Sequence, residues 1–198
     1  MDRLCLWYAR GMRMTHKRGK KEEISPFYVV LKWLVDLSVA VGAALFIGVF
    51  LGEQITMTGY SMEPVLTNED ELLMDRLLYH FKEPERGDII IFLPRSDASQ
   101  YYIKRIIALP GETVQIKDGV LYINGEVQRM EDGLEKILNP GLAKEEIVLG
   151  EDEYFVLGDN RNNSEDSRFS SVGNVKRSNI IGKVWLKVTS LNDISLVK

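Results

Sequence analysis

The chain has 198 residues, 45% apolar and 27% charged, with a formal net charge of −4, which allows one sizeable folded domain plus an appendage. Its single cysteine, Cys5, excludes an internal disulfide framework and makes a cysteine-built metal site implausible. With only His16 and His80 present, a Ser-His-Asp triad would have to use one of two histidines, and neither sits in a motif-like setting.

Charge is unevenly placed. Residues 1–28 carry seven Lys/Arg against three Asp/Glu, which leaves −8 for the remainder. Arg10, Arg13, Lys17, Arg18, Lys20 and Lys21 form a basic leader. A basic head before an acidic body suits a nucleic-acid arm, but the next segment points to a membrane instead. The 24 residues from Val29 to Gly52 are almost wholly apolar; as a helix they span about 36 Å, enough for a bilayer core of ~30 Å. The strictly uncharged part, Leu37 to Gly52, reaches only about 24 Å. Lys32 and Asp36 lie four apart on one helical face, placed either to pair or to sit near the interface, where a lysine snorkels. A buried soluble helix and a cleaved signal peptide are the alternatives. The apolar run is long for the latter, and no small-residue cleavage site stands out after it. The expectation is a single-pass anchor over residues 29–52, with the leader 1–28 cytoplasmic and residues 53–198 extracytoplasmic.

Beyond the anchor, short apolar runs recur between glycines, prolines and acidic turns, the texture of a mostly β domain. Strands are expected at Glu71–Leu78, Asp88–Phe92, Tyr101–Ala108, Thr113–Lys117, Val120–Ile123, Glu153–Leu157 and Ile181–Val188. The first has ambiguous periodicity and suits a short helix equally. Asp118-Gly119 is a hairpin signal, and Asn124-Gly125 marks a second turn. Residues 126–152 turn acidic and loop-like around Asn139-Pro140-Gly141, and are expected to be a smaller, non-catalytic insertion on the β core.

Three segments hold chemistry-bearing residues. In Gly59-Tyr60-Ser61-Met62-Glu63-Pro64, the glycine permits close backbone approach and the proline biases Glu63 toward extended backbone. Ser61 is thereby offered as a nucleophile, which needs a base. In Tyr102-Ile103-Lys104-Arg105-Ile106, alternation puts Lys104 on one strand face and Arg105 on the other. A half-exposed strand accounts for that pattern. So does a lysine desolvated until its amine is neutral near pH 7 and able to accept the proton of Ser61. The stretch Gly158 to Arg168 is dense in turn residues, as surface loops are. It also offers Asp159, Asp166 and Arg168 for an ion network and the Ser164 hydroxyl for orienting an amine.

Together these segments resemble the type I signal peptidases, a family of membrane-anchored serine–lysine proteases. Ser61-Met62-Glu63-Pro64 matches the S-M-x-P box, and Arg86-Gly87-Asp88-Ile89-Ile90 matches the R-G-D box. Lys104 to Glu112 matches the K-R-hydrophobic-G-x-P-G-E box with Ala108 in place of glycine, and Gly158 to Arg168 matches G-D-N-R-x-x-S-x-D-S-R throughout. Four boxes in the family's order are far more specific than any one. The resemblance implies Ser61 as nucleophile, Lys104 as general base and Ser164 as the hydroxyl that orients the lysine. It implies structural roles for Asp159, Asp166 and Arg168, an oxyanion site at the Ser61 N–H, and substrate pockets lined by Met62 and Ile103. Gly59 stands where some members have a second oxyanion serine, and Val65 where threonine is usual. The implied activity is removal of signal peptides after Ala-x-Ala-type sites, with preproteins and a lipid bilayer as partners and no cofactor, metal or nucleic acid. A repressor-type Ser–Lys protease would need a DNA-binding domain where this chain has its apolar span. A peptidase dedicated to one substrate such as a pilin, and a membrane-tethered β binding module, are the remaining alternatives.

Overall fold

The computed structural model describes residues 26–50, 53–95, 100–128, 136–190 and 193–197. The leader through residue 25, with Cys5 and His16, lies outside the described residues, as do Gly52 and residues 129–135 of the expected insertion.

The apolar segment forms one 25-residue helix, α1 (Pro26–Phe50). It includes Pro26, a residue suited to the first turn of a helix, where no N–H is required. Its stretch Pro26–Ala44 has a mean hydropathy of 1.7 and none of it is buried. By length and composition α1 can cross a membrane.

The rest is built from strands: β1 (Glu53–Thr56), β2 (Glu71–Asp75), β3 (Ile89–Phe92), β4 (Tyr102–Ala108), β5 (Thr113–Lys117), β6 (Val120–Ile123), β7 (Glu126–Val127), β8 (Ile147–Val148), β9 (Glu153–Leu157), β10 (Val175–Lys176), β11 (Ile180–Ser190) and β12 (Asp193–Leu196). A short helix, α2 (Leu78–Phe81), interrupts the run that sequence left open between strand and helix. The Asp75 carboxylate accepts the N–H groups of Leu77 and Leu78 at 2.8 and 2.9 Å, which turns the chain out of β2. The larger sheet runs β1-β2-β11-β3-β4-β9-β10, with β12 added to β11. The smaller sheet runs β7-β6-β5-β8, and the pairings in both are antiparallel. Asp118-Gly119 has φ of 52° and 78° and Asn124-Gly125 has 53° and 77°. Two consecutive positive φ values suit the hairpin twist, so these pairs join β5 to β6 and β6 to β7.

Residues expected as a loop-like insertion join the smaller sheet. β8 pairs with β5, and Ile137, Ala143 and Leu149 pack into a buried cluster with Val114, Leu121 and Phe155. Among the described residues the acidic positions there face solvent and Ile137, Ala143 and Leu149 point inward between exposed Leu138, Leu142 and Val148, a pattern without a period to reveal it.

A second buried cluster gathers Met57, Met62 and Leu66, from the β1–β2 connection, onto Leu72, Ile91 and Ile103 of the larger sheet. Ile91 is fully buried at its centre. Ile91→Ala is expected to lower stability by about 2–5 kcal/mol through lost burial and a residual cavity, read as a lower urea midpoint of the detergent-solubilised chain.

Candidate active site

Ser61 lies in the connection between β1 and β2. That connection is closed at its base by Met57 N–H to Asp70 O (2.8 Å) and Glu69 N–H to Met57 O (2.9 Å). The Asp70 carboxylate accepts from the Thr67 N–H and hydroxyl and pairs with Lys187 at 2.6 Å. Gly59 has φ of 93° and donates its N–H to Asn68 Oδ1 at 2.8 Å. Met62, fully buried, pins the chain next to Ser61 into the core. The Ser61 carbonyl accepts the Asn160 N–H and the Tyr60 carbonyl accepts Asn160 Nδ2, both at 3.1 Å. Backbone on both sides of the hydroxyl is therefore held.

β4 brings the amine. It pairs with β3 on one edge and β9 on the other, and its residues 103–108 are all buried. A half-exposed strand is thus not what forms; both faces are covered. Lys104 Nζ lies 2.9 Å from Ser61 Oγ and donates to Ile103 O at 3.1 Å. Only 4% of Lys104 is exposed. Burial pulls its amine down from 10.5 to about 8, against the opposing charges of Asp166, Glu165 and Asp159.

Arg105, the neighbouring cation, makes a two-pronged ion pair with Asp159 at 2.8 and 2.7 Å and donates to Gly87 O at 2.9 Å. Asp166 accepts two guanidinium bonds from Arg168, each 2.8 Å, and the Gly158 N–H at 3.1 Å. Arg168 also reaches the carbonyls of Asn139 and Arg161. The three residues expected to share a network therefore divide. Asp166 and Arg168 brace their own loop, while Asp159 ties that loop to β4. Both pairs are almost completely buried. Further along β4, Arg86 reaches the Ile107 carbonyl and clamps Glu112 at 2.7 and 2.8 Å, which places the matched boxes side by side in space.

Ser164 is brought to the same place without contacting the amine. Its Oγ is buried and has no hydrogen-bond partner among the described residues. An added Cβ on Gly158 would stand 2.3 Å from both Ser164 Oγ and Ser61 O, so Gly158 is the gap through which the two serine segments meet. An open groove of about 620 Å³ runs past the pair, lined along its length by residues 55–61 and 100–104 and at one point by Asn163 and Glu165. Ile103 lines it; Met62 lies beneath and does not. The Ser61 N–H has no acceptor among the described residues. Sequence reasoning overlooked β1 as groove wall, Asn160 as backbone clamp and Glu165 as lining. The position of Asn160 and Glu165 inside the last box was the available signal.

A hydroxyl held against a dry amine beside a peptide-sized groove is equipment for acyl transfer. The model of the family described as "Signal peptidase, peptidase S26" matches residues 30–189, and the chain belongs to that family; it is a peptidase. The signal peptidase I of Bacillus amyloliquefaciens is 38% identical over 185 residues, covering 85% of this chain and 88% of its own. That of Leptolyngbya laminosa is 36% identical over 170 residues, covering 82% and 81%. A crystal structure of a signal peptidase I from Enterococcus faecalis is 39% identical over 52% of this chain and 97% of its own, with a TM-score of 0.41.

Two substitutions test the support around the pair. Asp159→Ala strands the Arg105 guanidinium in the interior and is expected to cost about 3–5 kcal/mol, measured by chemical denaturation. Gly158→Ala is expected to leave the fold largely intact yet displace Ser61 or Ser164. The check is a fall in labelling of Ser61 by a serine-directed acylating reagent, with the far-ultraviolet circular dichroism unchanged.

Proposed function

We propose that this protein removes N-terminal signal peptides from exported preproteins through a Ser61–Lys104 dyad, cutting after small residues at Ala-x-Ala-type sites. The observation that carries the reading is the 2.9 Å approach of Lys104 Nζ to Ser61 Oγ at a nearly dry position. In the neutral state Lys104 takes the hydroxyl proton as Ser61 Oγ attacks the scissile carbonyl. The unengaged Ser61 N–H faces the developing oxyanion. Lys104 then passes its proton to the departing amine, and the acyl-enzyme is cleared by a water that the same amine deprotonates. Ser164 serves as a hydroxyl that orients the amine during these transfers, while Asp159, Asp166 and Arg168 keep the frame rigid.

The substrate lies extended along residues 55–59 and 100–104, where backbone groups bind it as an added strand. Ile103, with Met62 under the floor, keeps the side-chain pockets shallow and apolar, which admits alanine and excludes larger residues. Residues 29–52 anchor the chain in the plasma membrane, with the leader cytoplasmic and residues 53–198 as the extracytoplasmic peptidase domain. Enzyme and signal peptide then share one bilayer, which raises their effective concentration.

The test is cleavage of a preprotein carrying an Ala-x-Ala site by the detergent-solubilised protein, with the new N-terminus found by mass spectrometry. A cut after the second alanine, reduced at least about 10³-fold in both Ser61→Ala and Lys104→Ala, is the expected result. Cleavage that persists in Lys104→Ala would discard the dyad. Since Lys104 works only when neutral and its amine sits at about 8, kcat/KM should fall as pH drops through about 8. A rate flat from pH 6 to 9 would contradict a lysine base.

A further inference from the structure

Three carboxylates bear on the Lys104 amine: Asp166, Glu165 and Asp159. Asp166 is bound by Arg168 and Asp159 by Arg105, both within the interior, so each has a cationic partner. Glu165 differs in every respect. It is exposed, it makes no ion pair among the described residues, and it lines the groove beside Ser61 and Lys104. Its side chain is held by the Ser171 hydroxyl, which donates to Oε1 and leaves the charge in place. Apart from three tyrosines, Lys104 and Glu165 are the ionisable residues of the groove lining among the described residues. When Lys104 is neutral, this described lining therefore carries one net negative charge, at Glu165.

We propose that Glu165 is a specificity-determining residue, favouring substrates with a basic side chain beside the scissile bond and disfavouring those with an acidic one. This rests on the peptidase reading and deepens it: the small-residue pockets choose where to cut, and Glu165 ranks the sequences around that cut by charge. The interaction is between partly hydrated groups, so it is modest and weakened by salt.

The experiment uses the full chain in detergent and peptides bearing an Ala-x-Ala site. Lys, Gln or Glu is placed in turn between the alanines and at the first and second positions after the cut. At one or more of these positions the wild type is expected to cleave the Lys peptide with about fivefold higher kcat/KM than the Glu peptide. That ratio should approach one in Glu165→Gln, invert in Glu165→Lys, and shrink with added salt. Binding of the same peptides to Ser61→Ala, read by fluorescence anisotropy, should show the same order without turnover. Ratios near one at all three positions, or ratios unmoved by both substitutions, would overturn the role of Glu165. Charge-ordered binding with no cleavage by the wild type would instead overturn the Ala-x-Ala reading and keep Glu165 only as a residue that ranks bound peptides by charge.

Discussion

The structure depends on keeping one amine dry. Lysine in water is protonated until about pH 10.4, and only burial brings Lys104 down to the range where it can accept a proton. Burial acts against nearby carboxylates, each of which pulls the amine back up in part. Two of the three acidic groups that bear on Lys104 are consumed by guanidinium partners in the interior. The same pairs satisfy charges that would otherwise be prohibitively costly inside the protein.

The rest of the larger sheet serves that requirement. β4 is paired on both edges and its residues 103–108 are all buried, so a lysine projecting from it has nowhere wet to go except toward the groove. The nucleophile arrives from a different element, a connection with two fully buried side chains, Met62 and Leu66, acting as plugs. Backbone bonds from Asn160 lock Ser61 from the opposite side. Three separate segments thus converge on one hydrogen bond.

Sequence made the parts with strong local chemistry legible. Both hairpin turns follow from Asp-Gly and Asn-Gly pairs, and five strands, β3, β4, β5, β6 and β9, fall within a residue of their expected limits. β1, β7, β8 and β10 span two to four residues each, too few for a period to register, and exist because longer neighbours pair with them. At the site, the residues to watch were legible and their partners were not. Nothing in a linear spacing tells whether Asp159 meets Arg168, in its own loop, or Arg105, on β4. The choice is made by the packing of β9 against β4. For the same reason alternation alone left the strand bearing Lys104 open between half-exposed and buried.

The Arg105–Asp159 pair joins the strand that holds Lys104 to the loop that braces Ser61. If the loop is undocked, Arg105 loses its counter-ion, water enters, and Lys104 returns to the protonated state of a hydrated lysine. Docking of the loop and dryness of the amine are therefore one event. A partly folded chain holds the same serine and lysine without the 2.9 Å approach that joins them.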